Sequence, residues 1–113
     1  VHASPHKPAD WNYIFSEWDA QWQFTAFSQK ICFIGHTHCP VEFQDRDSDR
    51  RIINVGSIGQ PRDNDPRGCF YIYDSEAGEG EWVRFEYDAP AAGRKIIMAG
   101  LPSTLAERLR YGR

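Results

Sequence analysis

The chain has 113 residues, a formal net charge of −3 and an apolar fraction of 41%. This balance offers no basic surface for binding nucleic acid by bulk electrostatics, and no run approaches the roughly 18 apolar residues of a membrane span. Three cysteines, an odd number in a composition that does not look secreted, predict reduced thiols and a cytoplasmic protein. The length predicts a single domain over residues 1–113, or part of one.

The first thirty residues combine a histidine, a proline-rich loop and two predicted helices. His2 stands between a short apolar lead and a turn. Residues 8–10 offer the start of a helix over 11–15, and Ser16 can cap a second helix. Four aromatic residues follow without interleaved basic residues, at Trp18, Trp22, Phe24 and Phe27. This composition predicts packing in the core rather than stacking on nucleobases.

A short apolar strand is predicted at residues 31–34, and two histidines follow it closely. The strand ends at Gly35, and His36 and His38 come next. Side chains at i and i+2 of an extended segment point to the same side. The two imidazoles can then face one metal, or two metals spaced as in two-metal hydrolases, roughly 3.5–4 Å apart. A pair of loop histidines without a ligand is the alternative from these residues alone.

A β-hairpin and a turn of small residues are predicted next. Strands at 41–44 and 51–55 flank a charged, solvated turn over residues 45–51. The glycine- and serine-rich run that follows lets backbone approach a ligand closely. Arg62 is the best cationic candidate for a phosphate contact, and a surface ion pair with one of the aspartates after it is the alternative.

The last forty-five residues predict a second hairpin and two short helices. Strands are predicted at 69–74 and 82–87, separated by a turn rich in acid and glycine. A connector at 88–93 precedes a helix at 94–99, which Gly100 closes. A final helix follows Pro102, with leucines four residues apart on one face.

Three segments, taken together, resemble the calcineurin-like metallophosphoesterases, and most of all their small bacterial predicted phosphoesterases. They are His2-Ala3-Ser4-Pro5, Gly35-His36-Thr37-His38 and the run from Asn54 to Arg62. The resemblance covers nearly the whole chain. It implies an α+β fold that is part of a four-layer α/β/β/α sandwich, with mostly antiparallel strands and flanking helices. Residues 1–113 would be the C-terminal portion of that domain.

The resemblance also implies a chemistry, which is hydrolysis of phosphomono- or phosphodiesters at a dinuclear metal centre. His2 and His36 would bind one divalent ion and His38 the other, and imidazole ligands suit Mn, Fe, Zn or Ni. Arg62 would contact the phosphate-ester substrate. No residue of the chain receives a catalytic role from the motifs.

The motifs of the other half of such a site are absent from the sequence. Family members carry Asp-x-His, Gly-Asp-x-x-Asp and Gly-Asn-His-Asp/Glu in an N-terminal half, and none of these occurs here. We therefore expect half of an active site, inactive by itself. We also expect an exposed sheet edge and apolar face that favour an oligomer or a complementing N-terminal segment. The alternative function is a non-catalytic protein-interaction module that retains half of the fold.

Overall fold

The computed structural model describes residues 1–113 and divides into two compact units, residues 1–55 and 56–113. Both units combine strands with helices or helical turns, and two of the three strand pairings are antiparallel. The predicted α+β class with mostly antiparallel strands is confirmed. None of the helices has the length and apolar character that crossing a membrane requires.

A three-stranded sheet organises the first unit. Its strands are β1 (Ile31–Ile34), β2 (Val41–Gln44) and β3 (Arg51–Asn54), with β3 in the centre, parallel to β1 and antiparallel to β2. Ile52 and Ile53 of the central strand are both fully buried, as a strand covered on both faces requires. The core of this unit consists of Ile14, Ala20, Phe24, Ile34, Phe43 and Ile52.

The helix predicted at residues 11–15 is not formed. A single 3-10 turn spans Pro8–Asp10, and Trp11 then takes a left-handed conformation with φ of 56°. A backbone in that region cannot continue a right-handed helix. The second predicted helix is confirmed as α1 (Glu17–Gln23), where Ser16 and Asp19 form a reciprocal capping box.

The aromatic residues of α1 and the turn after it are divided between core and surface. Phe24 is buried and Phe27 packs against the core, as predicted. The prediction is wrong for Trp18 and Trp22, which are 80% and 60% exposed. Helix α1 has only two turns and buries the stripe that carries Ala20, so side chains at positions 18 and 22 fall on the opposite face.

The charged segment between β2 and β3 is more ordered than a solvated turn. Asp45 is 6% exposed and accepts hydrogen bonds from the Nη2 and Nε atoms of Arg50, at 2.6 and 3.0 Å. Arg50 Nη1 also donates to the backbone carbonyls of Phe24 and Phe27, at 2.7 and 2.6 Å. The guanidinium therefore ties the turn after α1 to the sheet, a role that the run of charges did not reveal.

The second unit contains a hairpin and two helices. The hairpin pairs β4 (Gly68–Asp74) with β5 (Glu79–Phe85), as predicted within a few residues. Helix α2 (Ala89–Met98) starts five residues earlier than predicted, because Asp88 caps it by accepting from the amide of Ala91, at 2.8 Å. Helix α3 (Ser103–Tyr111) is confirmed.

An ion-pair cluster stabilises the entry to β4. Arg67 binds Asp65 through Nη2 at 2.6 Å, and Arg84 contacts Asp63. The hydrogen bond from the Arg67 side chain, followed by one from the Arg67 amide, lowers the pKa of Asp65 to about 2. An aspartate pKa in an unfolded chain is about 3.9, so the ionised carboxylate favours the folded state.

This cluster predicts an acid-dependent loss of stability. The unfolded chain binds more protons between about pH 4 and pH 2, so the contribution of Asp65 is complete above pH 4 and is lost as the pH falls toward 2. Asp65→Asn is expected to make the free energy of unfolding less dependent on pH in that window, measured by urea unfolding with circular dichroism. Asp10→Asn, which removes an exposed carboxylate outside the cluster, is the control. If the free energy of unfolding depended equally on pH in wild type and in Asp65→Asn, the stabilising role of the Asp65 carboxylate would be contradicted.

Candidate metal centre

Two histidines from distant parts of the sequence meet at the end of β1. His2 Nε2 lies 3.1 Å from His36 Nδ1. Two hydrogen bonds position the N-terminal residues beside β1. The Val1 amine donates to the carbonyl of Phe33 at 3.1 Å. The Gly35 amide donates to the carbonyl of His2 at 2.8 Å. The sequence-predicted ligands His2 and His36 are therefore neighbours in space.

The loop that carries His36 and His38 is not extended. The amide of Thr37 donates to the carbonyl of Gly35 at 2.8 Å, which closes a three-residue γ-turn around His36. His36 has φ of 67° and His38 has φ of 62°. The prediction of an extended segment is therefore wrong, although histidine is among the residues that tolerate the left-handed region best. The turn, rather than strand alternation, orients the imidazoles.

A buried asparagine, Asn54, holds this turn, a role that the sequence pattern did not predict. Asn54 is 0% exposed at the end of β3, and its Nδ2 donates to the carbonyl of Gly35 and to the Thr37 hydroxyl, both at 2.8 Å. Thr37 itself is 3% exposed. The sequence feature that could have indicated this role is an amide side chain at the end of an apolar run. Such a side chain is buried with the strand, and a buried polar group needs hydrogen-bond partners.

The separation of His2 and His36 is close to that of two ligands of one cation. With metal–nitrogen bonds of about 2.0–2.1 Å, the nitrogen ligands of a tetrahedral ion stand about 3.3–3.4 Å apart, and the observed separation is 3.1 Å, which is also that of a hydrogen bond between the two rings. However, no group of three histidine, cysteine, aspartate or glutamate side chains in residues 1–113 is arranged to hold a metal ion. The chain thus presents a pair of imidazoles, and His38 does not join them in a three-ligand set.

Aromatic rings surround the imidazole of His36. Tyr13 stacks on it with ring centroids 4.2 Å apart and an interplanar angle of 21°. Trp11 lies 5.2 Å from His2 and 5.6 Å from His36 between ring centroids. Rotation of either imidazole would therefore disrupt a ring contact.

The sequence-predicted phosphate contact, Arg62, lies in the second unit. Its Nη2 and Nε donate to Oε1 of Gln60, at 2.6 and 3.2 Å. Of the two aspartates after it, Asp63 contacts Arg84 and Asp65 contacts Arg67. A cavity of about 910 Å³ in the same unit is lined mainly by α2 and α3 and contains none of the four predicted site residues.

Two of the three comparisons with known proteins find similar proteins. No protein-family model matches the chain. An uncharacterised protein of Methanocaldococcus jannaschii, MJ0912, is 34% identical over 126 residues, which cover 99% of this chain and 50% of that protein. The crystal structure of a metallophosphoesterase from Sphaerobacter thermophilus superposes with a TM-score of 0.94 at 35% identity, over 100% of this chain and 54% of that one.

A more distant structure supports the fold alone. The hypothetical protein PH1004 from Pyrococcus horikoshii has a TM-score of 0.82 at 20% identity, over 100% of this chain and 45% of that one. The chain therefore spans about half the length of the relatives it matches. With the His-x-His loop and the paired histidines in place, the chain has the fold of part of a metallophosphoesterase, and its predicted resemblance to the C-terminal half of a calcineurin-like domain is confirmed.

Proposed function

We propose that the protein is a metal-dependent phosphoesterase that hydrolyses phosphomono- or phosphodiesters at a dinuclear centre, to which this chain contributes His2, His36 and His38. In the reaction, water attacks phosphorus, the phosphorus–oxygen ester bond breaks with its electron pair, and the leaving oxygen takes up a proton. The expected partner is a phosphate-ester substrate, and the expected compartment is the cytoplasm.

One observation carries the proposal, which is the approach of His2 Nε2 to His36 Nδ1 at 3.1 Å. The two residues are 34 positions apart in the sequence. Their approach depends on a γ-turn with an unfavourable backbone conformation at His36. Unfavourable backbone of this kind concentrates at functional sites, where the surrounding structure maintains it.

The residues of the chain have distinct roles in the proposed site. His2 and His36 hold one cation, His38 holds the second, and Arg62 binds a phosphate oxygen. Divalent cations, when bound, neutralise charge on the phosphate oxygens and acidify water. Imidazoles are neutral ligands, and carboxylates complete most two-metal sites. The proposal therefore includes carboxylate ligands to both cations from residues outside 1–113.

Metal content and turnover of the full gene product test the proposal. We expect about two divalent ions per chain, as in two-metal hydrolases, with hydrolysis of 4-nitrophenyl phosphate or its bis ester. Activity should be lost after treatment with a chelator and restored by Mn²⁺. A full gene product that retains no metal and hydrolyses neither ester would overturn the proposal.

A non-catalytic interaction module is the second candidate. The absence of a three-ligand metal set within residues 1–113 favours it, as do large apolar side chains at the surface, of which Trp18 and Met98 are 80% and 86% exposed. Such surfaces favour association, either in an oligomer or with a complementing segment. Three results together would select this candidate: the full gene product retains no metal, hydrolyses no ester, and forms a stable assembly in sedimentation experiments.

A further inference from the structure

Exposed aromatic rings adjoin the histidine pair in the first unit. Trp11 contacts both imidazoles, with ring centroids 5.2 Å from His2 and 5.6 Å from His36, and is 59% exposed. Tyr13 covers one face of the His36 ring at 4.2 Å and itself stacks with Phe15 at 5.2 Å. More than half of the surface of Trp11 is therefore open to solvent directly beside the proposed metal ligands.

The backbone at Trp11 is unfavourable for the residue that occupies it. Its φ of 56° lies in the left-handed region, which bulky side chains rarely adopt. Four of the five non-glycine residues with positive φ belong to this loop and to the histidine loop, at Lys7, Trp11, His36 and His38. The indole packs on the two imidazoles on one side and is otherwise exposed. Unfavourable backbone of this kind concentrates at functional sites, which makes Trp11 a candidate binding residue.

We propose that Trp11 is a stacking subsite for a flat aromatic or heteroaromatic ring carried by the phosphate ester, a proposal that rests on the proposed function. Tyr13 is a positioning residue, which orients His36 through ring stacking. The subsite makes the enzyme selective for esters of nucleosides or of aryl alcohols over esters of aliphatic alcohols.

The placement of Trp11 explains why a ring is the expected group. A phosphate bound at the His2–His36 pair would lie next to the indole, since both imidazole centroids are within 5.6 Å of it. A ring joined to phosphorus through an ester oxygen, or through a ribose, can reach the indole from that position. Stacking on indole tolerates any ring because every base has a π-face.

Substrate discrimination by Trp11 variants of the full gene product tests this subsite. The probes are adenosine 5′-monophosphate, 4-nitrophenyl phosphate and ribose 5-phosphate, which has the sugar phosphate without the base. Trp11→Ala is expected to lower kcat/KM roughly five- to 150-fold for the two ring-bearing esters, the range expected for losing one stacking contact. The value for ribose 5-phosphate should stay within about twofold, and Trp11→Phe should restore much of the loss.

Trp18→Ala is the matched control, because Trp18 is also an exposed tryptophan of the first unit but lies on α1. Loss for adenosine 5′-monophosphate alone would restrict the subsite to nucleobases, and loss for both ring-bearing esters would extend it to aryl groups. Equal loss for all three esters, or no loss with any, would overturn the proposal while leaving the phosphoesterase function intact.

A separate outcome concerns failure of the proposed function itself. If the wild-type protein hydrolyses none of the esters, equilibrium dialysis of adenosine 5′-monophosphate against ribose 5-phosphate decides the subsite. A preference for the nucleotide that disappears in Trp11→Ala and survives in Trp18→Ala supports a binding site for ring-bearing phosphates. Equal binding of the two compounds overturns it.

Discussion

Replacement of His36 by alanine is expected to reduce metal retention and ester hydrolysis by the full gene product at least about 100-fold. Even outer-shell partners of ligand histidines cost 10- to 100-fold in metal affinity or activity, and His36 is placed as a ligand itself, 3.1 Å from His2. The measurements are bound metal after gel filtration and kcat/KM for 4-nitrophenyl phosphate.

His6→Ala is the matched control for this prediction. His6 lies in the N-terminal loop of the first unit, four residues after His2. Its ring packs on Trp22, and it makes no contact with the His2–His36 pair in the structure. Unchanged metal retention in His36→Ala would mean that the contact between the two imidazoles is only a hydrogen bond within the fold.

A glycine at position 36 separates the ligand role from the backbone role. The φ of 67° costs an L-residue roughly 1–2 kcal/mol and costs glycine nothing. His36→Gly is therefore expected to lose metal as His36→Ala does, while its free energy of unfolding exceeds that of His36→Ala by about 1 kcal/mol.

Replacement of Asn54 by alanine is expected to lower the free energy of unfolding by about 1–3 kcal/mol, the sum for two lost hydrogen bonds. The side chain is fully buried, and its Nδ2 donates to the Gly35 carbonyl and the Thr37 hydroxyl, both at 2.8 Å. Each lost hydrogen bond costs about 0.5–1.5 kcal/mol net, since the Gly35 carbonyl and the Thr37 hydroxyl keep their bonds from the amides of Thr37 and Cys39. Because the γ-turn at His36 depends on the same Gly35 carbonyl, metal retention should fall as well.

Urea unfolding followed by circular dichroism measures this effect, and Asn12→Ala, at an exposed asparagine of the same unit, is the control. Asn54→Asp is a sharper test, since a carboxylate has the shape of the amide but cannot donate when ionised. It should destabilise at least as much as Asn54→Ala at neutral pH. An Asn54→Ala protein with unchanged stability and full metal retention would show that the turn holds without this side chain.

These two substitutions separate the ligand from its support. His36→Ala removes a ligand and leaves the buried hydrogen bonds of Asn54 in place. Asn54→Ala leaves the imidazole in place and removes what holds its turn. Because both act on one turn, their effects on metal retention should not add in the double variant, whereas effects at unrelated positions would add.

The sequence by itself determined the features that depend on local patterns. Apolar runs bounded by turn residues located all five strands, and Ser16 located the start of α1, because these signals act within a few residues. The resemblance of three motifs, around His2, around His36 and His38, and from Asn54 to Arg62, to those of the calcineurin-like metallophosphoesterases implied the fold and the candidate ligands, since motif order is a property of the sequence alone. The length of α2 was missed where a cap at Asp88 extended the helix.

Tertiary structure decided what depends on residues distant in sequence. The approach of His2 to His36 requires β1 and the N-terminal residues to lie side by side, and the γ-turn requires Asn54 from the end of β3. Burial of Asp45 depends on Arg50, and Arg50 in turn reaches two carbonyls beyond α1. The exposure of Trp18 follows from which face of a two-turn helix meets the core. Local propensity does not predict any of these arrangements, because the residue that stabilises each one is distant in the sequence.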